Sequence, residues 1–149
     1  MKKIEIIIAA VSVIALVLSI LSVPYAKFSA HAIFTIYSMF YWLFSFALLN
    51  NIRFRDIFKK EAYKGVGWKR IVGAICTGYA LSLVIIGILF KIMSFPGAGI
   101  MLLLGVGYLC IIAIVAIVKY VQTRSQFYVG VLVRIAIIGG LGLVSFFLF

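Results

Sequence analysis

The chain has 149 residues, of which 66% are hydrophobic and only 11% charged, and it carries a formal net charge of +11. A soluble domain is roughly half apolar and about a quarter charged, so these residues cannot build a water-facing shell around a core. One compact membrane domain over 1–149 is the expectation, and the basic excess points to anionic lipid headgroups rather than nucleic acid.

The first apolar run covers about 6–22, behind Lys2, Lys3 and Glu5. It has the outline of a secretory signal with Ala26 or Ala30 as cleavage points, but its length favours a retained first helix. Pro24 ends it. An aromatic second span follows at about 30–49, then the only extended polar stretch, 51–70. A third span at about 71–93 is closed by Ser94-Phe95-Pro96-Gly97-Ala98-Gly99, and a fourth covers about 100–118. The last run, about 131–149, is short and carries Arg134. The pattern predicts an all-α integral membrane protein, a compact bundle of five transmembrane helices, or of four if the last run is re-entrant. Ser19-Ile20-Leu21 ahead of one proline turn echoes Gly87-Ile88-Leu89 ahead of the other, which convergence of apolar sequence explains as well as duplication does.

Orientation follows from the positive charges. With the N-terminus inside, the inner side collects Lys2, Lys3, Arg53, Arg55, Lys59, Lys60, Lys64, Lys69, Arg70, Lys119, Arg124 and Arg134, leaving Lys27 and Lys91 outside. This predicts a bacterial inner-membrane protein with a cytoplasmic N-terminus and an external C-terminus, the Arg134 head snorkelling to the inner interface. Within 51–70, Phe54, Ile57, Phe58 and Ala62 recur at helical spacing among Arg53, Arg55, Lys59, Lys60 and Lys64. That spacing predicts a short interfacial helix whose basic residues contact inner-leaflet lipid.

All three carboxylates, Glu5, Asp56 and Glu61, map to the predicted inner side. None falls inside a predicted span, although Glu5 stands at the mouth of the first. Proton-coupled transporters keep acids in the membrane, metal centres need clustered ligands, and a catalytic triad needs an acid beside His31. Hydrolase, metalloenzyme and carboxylate-driven antiporter readings are therefore set aside, with no metal and no cofactor expected. Cys76 and Cys110 lie in apolar runs and form no ligand or disulfide pattern.

Polar groups inside the spans define faces. His31, Thr35, Ser38, Trp42 and Ser45 recur at spacings that place them on one side of the second helix, as a polar stripe suited to interhelical hydrogen bonds. Thr77, Ala80, Val84, Gly87 and Lys91 form a small-residue stripe on the third. Gly87, Gly105, Gly107, Gly139 and Gly140 are the candidate close-packing positions, within the chain or towards a partner. Lys27, His31 and Lys91 approach the outer interface without an acid, where they can hold an anionic ligand or lipid headgroup by charge-assisted hydrogen bonds.

The string Gly87-Ile88-Leu89-Phe90-Lys91-Ile92-Met93-Ser94-Phe95-Pro96-Gly97-Ala98-Gly99-Ile100-Met101-Leu102 resembles the transmembrane hairpin of GldL, the gliding-motility and type IX secretion motor subunit. The resemblance implies two helices joined by a Pro-Gly turn on the outer side. Ser94 stands where that family has histidine. The family's intramembrane glutamate in the second helix has no counterpart, since 105–118 holds no acid. The resemblance therefore implies a hairpin and shared ancestry rather than a proton-powered motor. The functional expectation is a non-catalytic inner-membrane subunit or scaffold, associating with a membrane-protein partner or with copies of itself. The alternative is a small transporter or flippase for an anionic lipid-linked substrate, working through Lys27, His31 and Lys91.

Overall fold

The computed structural model describes residues 1–148, and among these five helices are long and apolar enough to cross a membrane. They are α1 (Lys2–Ile20), α2 (Ala26–Leu49), α3 (Trp68–Ile92), α4 (Ala98–Thr123) and α5 (Gln126–Leu148). Only closed backbone hydrogen bonding is tolerated in hydrocarbon, which leaves helices as the solution for apolar runs of this length. Even the shortest, α1 with 19 residues, reaches about 28 Å at the usual rise, close to the hydrocarbon thickness of about 30 Å. The helices begin ahead of the apolar runs, α2 at Ala26 rather than 30 and α5 at Gln126 rather than 131. Their first turns carry polar and aromatic residues that suit the interface while keeping the helical backbone.

Short connections force neighbouring helices antiparallel, and two of those connections are built alike. In the α1–α2 turn Ser22 and Tyr25 take left-handed backbone angles, and in the α3–α4 turn Ser94 and Gly97 do the same, each 72 positions further on. Pro24 and Pro96 sit between them at the same offset. The hydrogen bonds match as well. Val23 N donates to Leu18 O at 3.2 Å and Phe95 N to Phe90 O at 2.9 Å, and the bonds Ser22 N to Ser19 O and Ser94 N to Lys91 O correspond. Both turns thus close the helix end with a six-to-one bond of the Schellman kind. The buried positions follow the same offset: Glu5, Ser12, Ala15 and Leu16 on α1 against Thr77, Val84, Gly87 and Ile88 on α3. The chain is two like hairpins followed by α5. The sequence echo set Ile20 beside Ile88, whereas the correspondence in the structure has an offset of 72 residues and pairs Ile20 with Ile92.

α3 is the central helix: it packs on α2, α4 and α5 and buries 50% of its most apolar stretch, whereas α4 buries 22%. Its residues Leu81, Val84, Ile85, Ile88, Leu89 and Ile92 carry much of the main core. Close approach depends on side chains that are missing. Gly78 lies under α2 so tightly that an added Cβ would overlap the Ser45 side chain and stand 2.7 Å from the Tyr41 carbonyl oxygen. Gly87 and Gly105 form a reciprocal pair, a Cβ on the first meeting Leu102 and on the second meeting Val84, both at 2.9 Å.

The polar stretch between α2 and α3 differs from the expectation. In place of one amphipathic helix it forms two 3-10 turns, Phe54–Asp56 and Lys60–Tyr63. Gly65 has a φ of +85°, and Tyr63 Oη donates to Ile57 O at 2.6 Å, a bond that folds the segment back on itself. Ile52 and Ile57 are buried in a small core with Ala47 and flanked by Met1, Phe44 and Tyr63. Phe58, by contrast, is 97% exposed. Lys59 Nζ lies 2.9 Å from Asp56 Oδ1 and holds that carboxyl below the usual carboxylate range.

Gly78→Ala should destabilise the bundle by about 1–3 kcal/mol through overpacking. Gly107→Ala, whose Cβ would meet nothing within 4 Å, should change stability by less than about 1 kcal/mol. Thermal unfolding in micelles compares the two, and equal effects would contradict the packing described.

Candidate functional site

Glu5, Ser12 and Ser19 are buried on one face of α1, seven residues apart. The serines satisfy themselves: Ser12 Oγ donates to Ile8 O and Ser19 Oγ to Ala15 O, each at 2.8 Å. A carboxylate cannot bond its own helix in this way and needs donors from elsewhere. Glu5, 8% exposed, draws them from two other helices.

Arg134 supplies the first set. It is the ninth residue of α5, about 12 Å along the helix axis from its start. Its Nε donates to Glu5 Oε1 at 2.6 Å and its NH2 to Oε2 at 2.5 Å, the two-pronged geometry that matches guanidinium to carboxylate. The side chains are 14% and 11% exposed. The third prong, NH1, donates to Gly130 O at 2.9 Å, one turn back on the same helix. Tyr41 on α2, 1% exposed, completes the cluster by donating its hydroxyl to Glu5 Oε1 at 2.5 Å. The Tyr41 ring is held by Tyr37 and Phe40, with centroids 5.3 and 6.1 Å away.

Two expectations are corrected here. Glu5 is not a surface group at the mouth of the first span: it lies within α1 and is buried among three helices. Arg134 does not present a free guanidinium: its side chain reaches back along α5, with NH1 on Gly130 O, and is taken up by that carboxylate. The signal was present in the sequence. Glu5 is the sole acid before Asp56, and Arg134 is the sole charged residue after Arg124. Both were assigned to one side of the membrane, Glu5 at the mouth of the first span and Arg134 in the last. Tyr41 gave no signal of its own, because one tyrosine among many aromatics in α2 has no distinguishing pattern.

The other predicted groups are spread over the molecule. Lys27 and His31 are exposed at the start of α2. Lys91 turns towards α5, with Nζ 3.5 Å from Phe146 O and 4.9 Å above the Phe146 ring. The stripe on α2 divides: Ser38 Oγ and Ser82 Oγ share a hydrogen bond of 2.7 Å to α3, Ser45 faces Gly78, Thr35 is half-buried and Trp42 is 59% exposed. Arg53, Arg55, Lys59, Lys60 and Lys64 are exposed on the turns between α2 and α3. A Cβ on Gly139 would meet Leu109 at 3.5 Å, while Gly107 and Gly140 have open space. Among the described residues no group of three His, Cys, Asp or Glu could hold a metal ion.

Chemically, the cluster is a closed ion pair. Both carboxylate oxygens are occupied and all three nitrogens of the guanidinium donate, so neither partner is free to bind or transfer. Its mechanical effect is to join α1 and α5, which scarcely touch otherwise.

The family profile of the GldL N-terminal domain matches residues 76–127. The matched segment takes in most of α3, the Pro96-Gly97 turn, α4 and the first residues of α5, so the resemblance seen over 87–102 extends well beyond that string. Glu5, Tyr41 and Arg134 all lie outside it. No curated protein and no solved structure matches the chain significantly.

Arg134→Leu should cost about 3–5 kcal/mol by leaving the Glu5 charge buried and unpaired, and adding Glu5→Leu should recover most of that loss. A double-mutant cycle on unfolding in micelles measures the coupling. Additive single effects would show that the two groups do not meet.

Proposed function

We propose that the chain is a non-catalytic subunit of a membrane assembly in a bacterial inner membrane, built on GldL-like hairpins and associating with other membrane proteins through its exposed apolar helix faces. The observation that carries this reading is the matched hairpin itself. α3 is its buried member, and α4 presents Leu103, Leu104, Ile111, Ile114 and Val118 outward, all about half exposed or more. In lipid there is little hydrophobic drive between helices, so association on such a face rests on shape and small residues. Gly107, with open space around its Cα, lies on the same helix. The first hairpin repeats the architecture of the second, which gives the assembly two units of one kind in a single chain.

The end of the bundle that carries Lys2, Lys3 and the basic turns between α2 and α3 is assigned to the cytoplasm, and the end with Lys27 and Lys91 to the outside. The exposed cations of that inner end suit an anionic leaflet, each contributing on the order of 1 kcal/mol of attraction. The proton-driven role of the resembled family is not carried over. α4 has no acid, and the intramembrane acid this chain does have is held by Arg134 at the inner ends of other helices.

The alternative, a transporter or flippase for an anionic lipid-linked substrate, has less support. Lys91 is engaged with α5, and the polar cluster lies at the opposite end of the bundle from Lys27, His31 and Lys91.

Purification in a gentle detergent followed by mass spectrometry of associated proteins should recover a stoichiometric membrane-protein partner. Recovery of the chain alone, with substrate movement across reconstituted vesicles, would favour the transporter. Reporter fusions to the α2–α3 connection should be active only in the cytoplasm, and periplasmic activity there would overturn the orientation.

A further inference from the structure

α1 packs on α2, and α5 packs on α3 and α4, so between α1 and α5 the bundle is left with a lateral cleft. At the end nearer the basic turns the cleft has a polar mouth of about 330 Å³, lined by Lys2, Glu5, Tyr41 and Arg134 with apolar neighbours. It continues into a gallery of about 340 Å³ whose floor is Phe34, Tyr37, Ile85 and Ile88. Ile6, Ala9, Tyr37, Ile137 and Ile138 line both volumes, which therefore adjoin along the same side of α1 and α5. Each part alone is at the lower end of the range for small-molecule sites, about 300–1,000 Å³. Ile6 and Ile137, on the two rims, are 66% and 56% exposed, so the cleft opens sideways into the surrounding hydrocarbon.

We propose that this cleft binds one anionic phospholipid, an acyl chain lying in the gallery and the phosphate held at the mouth by Lys2. Three observations choose this occupant over a helix. The space is polar at one end and apolar along the rest, as a lipid is. Its lining runs along α1 from Lys2 to Leu16, about 21 Å at the helical rise, enough to take a chain through one leaflet's half of the roughly 30 Å hydrocarbon. The mouth also has a surplus cation: Glu5 and Arg134 neutralise each other, and the exposed Lys2 is left to face a phosphate, with Lys3 beside it. The Glu5–Arg134 bridge spans the cleft at its polar end and interrupts the smooth apolar face that a helix of another protein would need. A flexible chain can lie beside that bridge.

The test uses the full chain in nanodiscs of phosphatidylcholine with or without phosphatidylglycerol, released for native mass spectrometry. One phosphatidylglycerol per chain should survive conditions that strip phosphatidylcholine. Lys2→Gln should weaken its retention roughly fivefold, as loss of one lysine at an anionic surface implies. Ala9→Trp, which fills the gallery, and Ile137→Trp, placed on an exposed rim where folding is not at stake, should each abolish it. Ile36→Trp, on an exposed side of α2 away from the cleft, should leave it unchanged. Retention unaffected by both cleft tryptophans, equal retention of the two lipids, or a second copy of the chain in place of lipid would overturn the proposal.

Discussion

A single buried ion pair decides how the five helices close on one another. Four of them form two hairpins that pack by ordinary small-residue contact, but α1 and α5 have little apolar surface in common. They are held across a cleft by Glu5 and Arg134, with Tyr41 of α2 as third member. Isolated in hydrocarbon, either charge would be expensive, about 3 kcal/mol at the centre of a span on insertion scales. Together, with both carboxylate oxygens occupied, they cancel most of that cost, and the residual energy depends on all three helices being in place. Such a pair adds less to stability than its distances suggest, yet breaking it is severe. Its contribution is to specify which faces of α1 and α5 look at each other.

The hairpins follow a different logic. Their turns repeat a serine and a residue after proline in left-handed conformation, 72 positions apart, and the helices that enter those turns bury equivalent positions. What differs between the two units is the chemistry on those shared positions. Glu5 of α1 corresponds to Thr77 of α3, and Ser12 to Val84. The first hairpin has a more polar buried face, on which Glu5 alone needs outside partners, and the second a largely apolar one that packs on α2, α4 and α5. This difference explains why α3 is central and α1 peripheral.

Much of the architecture was legible from hydropathy. The lengths of the apolar runs set five helices, and the charges set which turns share an end. The Gly87 and Gly105 close approaches could be anticipated from residue type. Less visible was anything that depends on depth. Glu5 stands four residues into its helix, and hydropathy alone does not distinguish a carboxylate at the interface from one drawn into the bundle by an arginine 129 residues away. The basic stretch misled for a related reason. Phe54, Ile57 and Phe58 have helical spacing, but Ile57 is taken by a small core under α2, Gly65 turns the backbone, and the segment settles into 3-10 turns. The stripe from His31 to Ser45 has the right period for one face. Because α2 is crossed by α3 at Ser38 and Ser45 but not at Trp42, the stripe divides between packing and lipid.

The functional reading depends on this division of labour: a matched hairpin that faces outward, and a polar lock that keeps the remaining helices in register beside it. The lock can be seen directly in the unaltered protein. With glutamate and arginine side chains isotopically labelled, solid-state NMR recoupling in lipid bilayers should show the Glu5 carboxyl carbon within ion-pair distance of a guanidinium nitrogen, with the signal vanishing in Arg134→Lys. A Glu5 carboxyl with no arginine neighbour and free exchange with bulk water would place that residue at the membrane surface and contradict the account.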